Sequence, residues 1–106
     1  MKRRLIYSNE AVTELAEIKN YTSRTWGAAQ VKRYISGLVS DIKALRSGAL
    51  RHPLYDEVYP GLRRKRSGMH HVYFIAHADR VVIIRIMHIQ RDPGLHLKLE
   101  GWREEE

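Results

Sequence analysis

A chain of 106 residues that is 43% hydrophobic makes one domain with a modest core. Nineteen Lys and Arg against twelve Asp and Glu leave a net charge of +7, which favours an acidic partner: nucleic acid, an acidic protein or an anionic surface. Without cysteine, disulfides and thiolate zinc sites are excluded. Without an apolar run of signal or membrane-spanning length, the expectation is a soluble domain of the reducing cytoplasm.

The first element is a short strand, "RRLIYS" (Arg3 to Ser8), rich in strand-forming residues. It stops at Ser8 or Asn9, either of which can accept hydrogen bonds from the free N–H groups of a helix's first turn, with Glu10 well placed against the dipole. Ala11, Leu15, Ile18 and Tyr21 then recur at helical steps. After Gly27, Val31, Ile35, Leu38, Ile42 and Leu45 mark a second amphipathic helix, for which Gly48 is the expected stop. Two such helices joined through one glycine predict an antiparallel hairpin.

Beyond Gly48 the pattern changes. "RHPLYDEVYPG" holds two of the three prolines and reads as a loop. Three strand-like runs follow, "LRRKR", "MHHVYFIA" and "VVIIRIMHI", separated by turns at "SG" and "HADR". The tail over 93–106 breaks at Pro93-Gly94; Leu95, Leu97 and Leu99 could form an edge strand, with a loose acidic end. The order β-α-α-β-β-β predicts an α+β domain, with an N-terminal strand and a helical hairpin packed on a small antiparallel sheet.

If "HADR" closes symmetrically, Ala76 faces Val81, Ile75 faces Val82, Tyr73 faces Ile84 and His71 faces Ile86. One sheet face then carries Tyr73, Ile75, Val82, Ile84 and Ile86, the expected seat of the helices. The other carries Val72, Phe74, Val81, Ile83 and Met87, with Arg85 among them. That second face is unusually apolar, so the tail or a partner should cover it.

The stretch "GLRRKRSGMHHVYFI" holds the densest chemistry. Adjacent strand residues point to opposite faces, so His70 and His71 do not converge, and no histidine pair at ligand spacing has a supporting carboxylate. No metal or cofactor is expected. Ser67 lacks a nucleophile-elbow context. Arg63, Arg64, Lys65 and Arg66 form either an edge strand protected by charge or an anion-facing platform, with His70, His71 and Arg85 on adjacent strands. Trp26 and Tyr34 read as packing residues. Lys32, Arg33, Lys43 and Arg46 are too scattered for a helix that reads the major groove.

Three segments together carry a resemblance: "YTSRTWGAAQVKRYISGL", "YPGLRRKRSGMHHVYF" and "VVIIRIMHIQRD". In this order and spacing, over about nine-tenths of the chain, they resemble the ParE-type toxins of bacterial toxin–antitoxin operons. The resemblance implies the ParE/RelE fold, inhibition of DNA gyrase by binding, and neutralisation by a ParD-like antitoxin of the ribbon-helix-helix kind. DNA is then met only through gyrase or the antitoxin, and neither a membrane nor a small-molecule substrate is involved. On this reading Arg63, Arg64, Lys65 and Arg66 contact the target, while Val72, Phe74, Ile83 and Arg85 contact the antitoxin. The alternative within the same fold is a RelE-like ribosome-dependent messenger endoribonuclease, with Arg64, Arg85 and His88 as its catalytic groups. Against it, the tail has no tyrosine, and His88 shares a strand face with Ile84 and Ile86.

Overall fold

In the computed structural model, which describes residues 2–91, the elements are β1 (Arg4–Tyr7), α1 (Asn9–Trp26), α2 (Ala28–Gly48), β2 (Leu62–Ser67), β3 (His70–Ala76) and β4 (Arg80–His88). This is the expected α+β order; the anticipated edge strand and tail at 93–106 lie outside the described residues. The strands form one sheet in the order β1-β4-β3-β2. β2, β3 and β4 make an antiparallel meander, and β1 runs parallel beside β4, so the sheet is mixed. A parallel neighbour needs a long crossover, which the two helices and the β2–β3 hairpin supply.

Ser8 starts α1. Its hydroxyl oxygen accepts the Ala11 N–H at 3.0 Å while its O–H donates to the Ile84 carbonyl at 2.6 Å, so the helix cap also fastens α1 to the sheet. Gly27 joins the helices with φ +86°, a conformation that side chains resist. Gly48 does not stop α2 through a left-handed cap. The helix instead tightens into a single 3-10 turn over Ala49–Arg51, and His52 turns extended before Pro53, as a residue preceding proline must.

The two sheet faces are the reverse of the expected assignment. Val72, Phe74, Val81, Ile83 and Ile86 pack against Ala11, Leu38, Ile42 and Leu45 of the helices. Tyr73, Ile75, Val82, Ile84 and Met87 face the other way, together with Leu62 and the half-buried Ile6, Tyr55, Val58 and Tyr59. The loop between His52 and Gly61 thus supplies cover for the second apolar face from within this chain. It is fastened by the Tyr55 N–H to the Leu62 carbonyl (2.7 Å) and by the Gly61 N–H to the Asp56 carboxylate (2.8 Å).

The register holds at the turn end and slips beyond it. Ala76 meets Val81 and Ile75 meets Val82 as expected, but Tyr73 meets Arg85 and His71 meets Met87. A bulge at Ile84-Arg85 inserts one residue, which moves Ile86 to the helix side and Met87 to the loop side. Glu14 of α1 stabilises the bulge. One carboxylate oxygen accepts the Ile86 N–H at 2.8 Å, and the other accepts from Arg85 Nε at 2.8 Å and pairs with Nη2 at 2.7 Å.

Ser67 pairs with His70, so the β2–β3 turn is Gly68-Met69, one residue later than expected. Gly68 has φ +59°, and a Cβ there would sit 2.8 Å from the Tyr34 ring and 2.9 Å from its hydroxyl. Gly68→Ala combines backbone strain with a collision against a ring held at both sides. It is expected to destabilise the domain by about 2–4 kcal/mol. A melting temperature equal to the parent's would show that the turn can take another form.

Candidate functional site

β2 lies at the sheet edge, and its four cations divide by face and by partner. Arg63 Nη1 donates to the His52 carbonyl at 2.6 Å, closing the loop onto the strand. Arg64 stacks over the Tyr55 ring, 4.4 Å from its centroid. Arg66 Nε donates to the Gly68 carbonyl across the turn at 2.9 Å. Lys65 makes no side-chain hydrogen bond or ion pair among the described residues. Charges held on carbonyls or rings are not neutralised, so the strand remains an anion-attracting edge. Arg63 and Arg64, however, also hold the covering loop, a second duty that the charge run does not reveal.

The apolar residues expected to meet an antitoxin are not at a surface. Val72, Phe74 and Ile83 are 0% exposed beneath the helices, because the face assignment on which that expectation stood is inverted. Arg85 is engaged with Glu14. Of the alternative catalytic trio, Arg64 lies over Tyr55 on the loop-covered side, whereas Arg85 is held by Glu14 of α1 and His88 sits beside His70 on the helix side, the two histidine ring centroids 5.7 Å apart. Ser67 is buried and donates to Asp41 Oδ2 at 2.6 Å, which ties β2 to α2. Among the described residues no group of three or more potential ligands could hold a metal ion, and no helix is long and apolar enough to cross a membrane.

What the sequence reading missed is a cleft of about 670 Å³ where the helical hairpin meets the β2–β3 turn. It is lined by Ile18, Tyr21 and Trp26 of α1, Tyr34 of α2, Met69 of the turn, His70 of β3, and Ile86 and His88 of β4. Tyr21, Trp26 and Met69 expose 63%, 65% and 48% of their surface. Trp26 is therefore not core packing, although Tyr34 does pack. An open apolar cleft rimmed by Tyr, Trp and Met has the composition of a protein–protein contact centre. The one sequence signal was the position of Trp26, next to the link glycine at the tip of the hairpin, where little core remains to bury it.

Polar order in the cleft centres on Tyr34. Its hydroxyl accepts the Met69 N–H at 3.0 Å and shares a hydrogen bond with His70 Nδ1 at 2.5 Å. Burial, and then the neighbouring His88, push the His70 pKa down to about 4, so at neutral pH the ring is uncharged and the tautomer sets the direction of that bond. His71 points to the opposite face, as alternation requires. Burial and the charges of Arg64 and Arg66 lower its pKa, and burial with Lys65, Arg51 and Arg63 lowers that of His52.

A pH dependence follows from His70. In the unfolded chain it gains a proton near pH 6.5, while in the fold it resists until about 4. Between those values the unfolded state binds more protons, so stability is complete above about 6.5 and declines as pH falls toward about 4. The urea midpoint should fall across that window, and His70→Gln should flatten the fall. An equal fall in the variant would transfer the effect to His52 and His71.

The family model for the ParE toxin of type II toxin–antitoxin systems, parDE, matches residues 5–93. The Toxin ParE of Escherichia coli is 36% identical over 88 residues, covering 82% of this chain and 85% of that protein. Toxin ParE1 of Mycobacterium tuberculosis is 26% identical over 98 residues, covering 92% of this chain and all of its own length. Among solved structures, a chain of the chromosomal ParDE TA system from P. aeruginosa shares the fold. It has a TM-score of 0.73 at 18% identity and covers 84% of this chain and 98% of its own.

Proposed function

Because the chain belongs to the ParE toxin family of type II toxin–antitoxin systems, we propose that it is the toxin of such a pair: it arrests bacterial growth in the cytoplasm by binding DNA gyrase, and a ParD-like ribbon-helix-helix antitoxin neutralises it. The observation that carries this reading is the match along residues 5–93, which, among the described residues, takes in the helical hairpin, β1 from Leu5 onward and all of β2, β3 and β4. The geometry supports binding over bond-breaking. Arg64 lies over Tyr55 on the loop-covered side of the sheet, away from Arg85 and His88 on the helix side, and Arg85 is occupied by Glu14, whereas proton transfer and phosphorane stabilisation require these groups around one reacting phosphate.

The cleft is the antitoxin's place in this reading, replacing the buried Val72, Phe74 and Ile83. A segment with apolar side chains for Ile18, Tyr21, Trp26 and Met69 and acidic flanks suits both the cleft and a partner carrying +7. β2 is left for the target. Lys65 and Arg66 supply its charge, and Arg63 and Arg64 hold the platform, so attraction should weaken with salt.

The test adds antitoxin-free protein to a gyrase supercoiling reaction and, separately, to a translating ribosome extract. Blocked supercoiling with intact messenger is the expected result. Messenger cut at ribosome-bound codons, with supercoiling unaffected, would overturn the reading in favour of the ribonuclease.

A further inference from the structure

Charge is spread unevenly along β4. Near its far end the cleft is lined by Glu14 and Glu17 together with Arg91, and Glu14 is paired with Arg85, while at its start cations predominate. Arg80 to Ile86, whose N–H Glu14 accepts, spans six steps at roughly 3.3 Å each, so the two regions lie about 20 Å apart. At the basic end the fold brings together Lys2, Arg3 and Arg4, from the beginning of the chain, with Arg46 from the last turn of α2 and Arg80 from the start of β4.

Arg3 and Arg46 clasp each other, once through their backbones and once through the Arg46 side chain. The Arg3 N–H donates to the Arg46 carbonyl at 2.9 Å, and Arg46 Nε donates back to the Arg3 carbonyl at 3.0 Å. Arg3 Nε in turn donates to the His77 carbonyl at 2.7 Å. Each guanidinium is thus held through Nε alone, on a neutral acceptor. Among the described residues neither is paired with a carboxylate, and the terminal amino groups of both make no hydrogen bond. Asp79 offsets part of the charge: it pairs with Arg80 at 2.8 Å and with Arg4 at 3.4 Å. Lys2 is exposed.

A fixed guanidinium with a free terminal fork is the form in which arginine takes a phosphate, since the fork matches two oxygens and its side-chain entropy is already spent. We propose that this end of the domain, formed by Lys2, Arg3, Arg4 and Arg46, is a docking surface for the phosphate backbone of duplex DNA, separate from β2 and from the cleft. Duplex is favoured over single strands because the exposed rings on which bases could stack, Tyr21 and Trp26, lie at the cleft. An acidic protein would seek an apolar centre, and the exposed apolar side chains that gather in one place, Tyr21, Trp26 and Met69, are at the cleft. The surface requires neither gyrase nor the antitoxin.

The experiment measures binding of the purified chain to a short fluorescein-labelled DNA duplex by anisotropy, between about 50 and 200 mM salt. Removing two phosphate contacts with Arg3→Gln/Arg46→Gln should reduce the slope of log K against log salt by about 1.8. Lys65→Gln/Arg66→Gln on β2, a second anion-attracting edge, should reduce it by clearly less. Since Arg3 and Arg46 also clasp β1 to α2, a second variant, Lys2→Gln/Arg4→Gln, removes charge without touching a carbonyl contact. It should lower the slope to a similar degree with no loss of melting temperature. An unchanged slope in that variant, a slope lost only with the β2 variant, or competition by polyglutamate as effective as by unlabelled duplex would each overturn the proposal.

Discussion

Phe74→Ala is expected to lower unfolding stability by about 3–5 kcal/mol, read from the urea midpoint at unchanged slope. Phe74 is 0% exposed, sits in the cluster with Leu38, Ile42 and Leu45, and meets the His52 ring edge-on at 6.0 Å between centroids. Truncation removes most of a large side chain from a site whose neighbours come from two rigid helices and three strands, so little collapse can refill the space. Phe74→Asp should not fold at all, because an unpaired carboxylate would be buried there. A folded Phe74→Asp protein would return Phe74 to a surface, with the helices elsewhere. Ile84→Ala tests the loop-covered face in the same way, with an expected loss of about 2–5 kcal/mol.

The second large effect is at Glu14, which no sequence pattern marked. Its carboxylate serves the Arg85 guanidinium and the Ile86 backbone N–H together, and the pair is only 15% and 21% exposed. Glu14→Ala leaves a poorly solvated cation and an unpaired donor in the bulge, so the expected loss is about 2–4 kcal/mol. Glu14→Gln keeps an oxygen for the Ile86 N–H and should lose roughly half as much. A change below about 0.5 kcal/mol in Glu14→Ala would place the pair among solvated surface ion pairs. Because Glu14 also lines the cleft, the same variants should move the Ile86 and His88 amide resonances, linking the bulge to the candidate antitoxin contact.

The helices and their limits were legible from the chain because their signals are local. Val31, Leu38, Ile42 and Leu45 recur at helical steps and are buried, Ser8 caps, and Gly27 links. The hairpin closed by "HADR" was equally readable, since Ala76–Val81 and Ile75–Val82 follow from the turn alone. Tyr21 departed from its expected face; Thr22 is the buried residue beside it, with its hydroxyl donating to the Ile18 carbonyl at 2.7 Å. The basic strand was visible as charge, but its division into loop anchors and open cations depends on where His52 and Tyr55 fall, residues that sequence spacing does not position.

Local chemistry alone thus dictated element type and order and the place of the β3–β4 turn, together with the charge that any partner must answer. Orientation came from packing. β3 and β4 are apolar on both faces, so alternation reports two candidate cores of equal strength and cannot say which one meets the helices. That choice belongs to the path of the chain, which lays α1 and α2 over Val72, Phe74 and Ile83 and folds the loop over Tyr73, Val82 and Ile84. Past Ile84 even the alternation fails: a single inserted residue exchanges the faces of everything beyond it, and this insertion is held by a glutamate some seventy positions away. The cleft and the Arg3–Arg46 clasp are long-range in the same sense. Each exists only because segments distant in sequence close on one another, and no periodicity within either segment encodes that meeting.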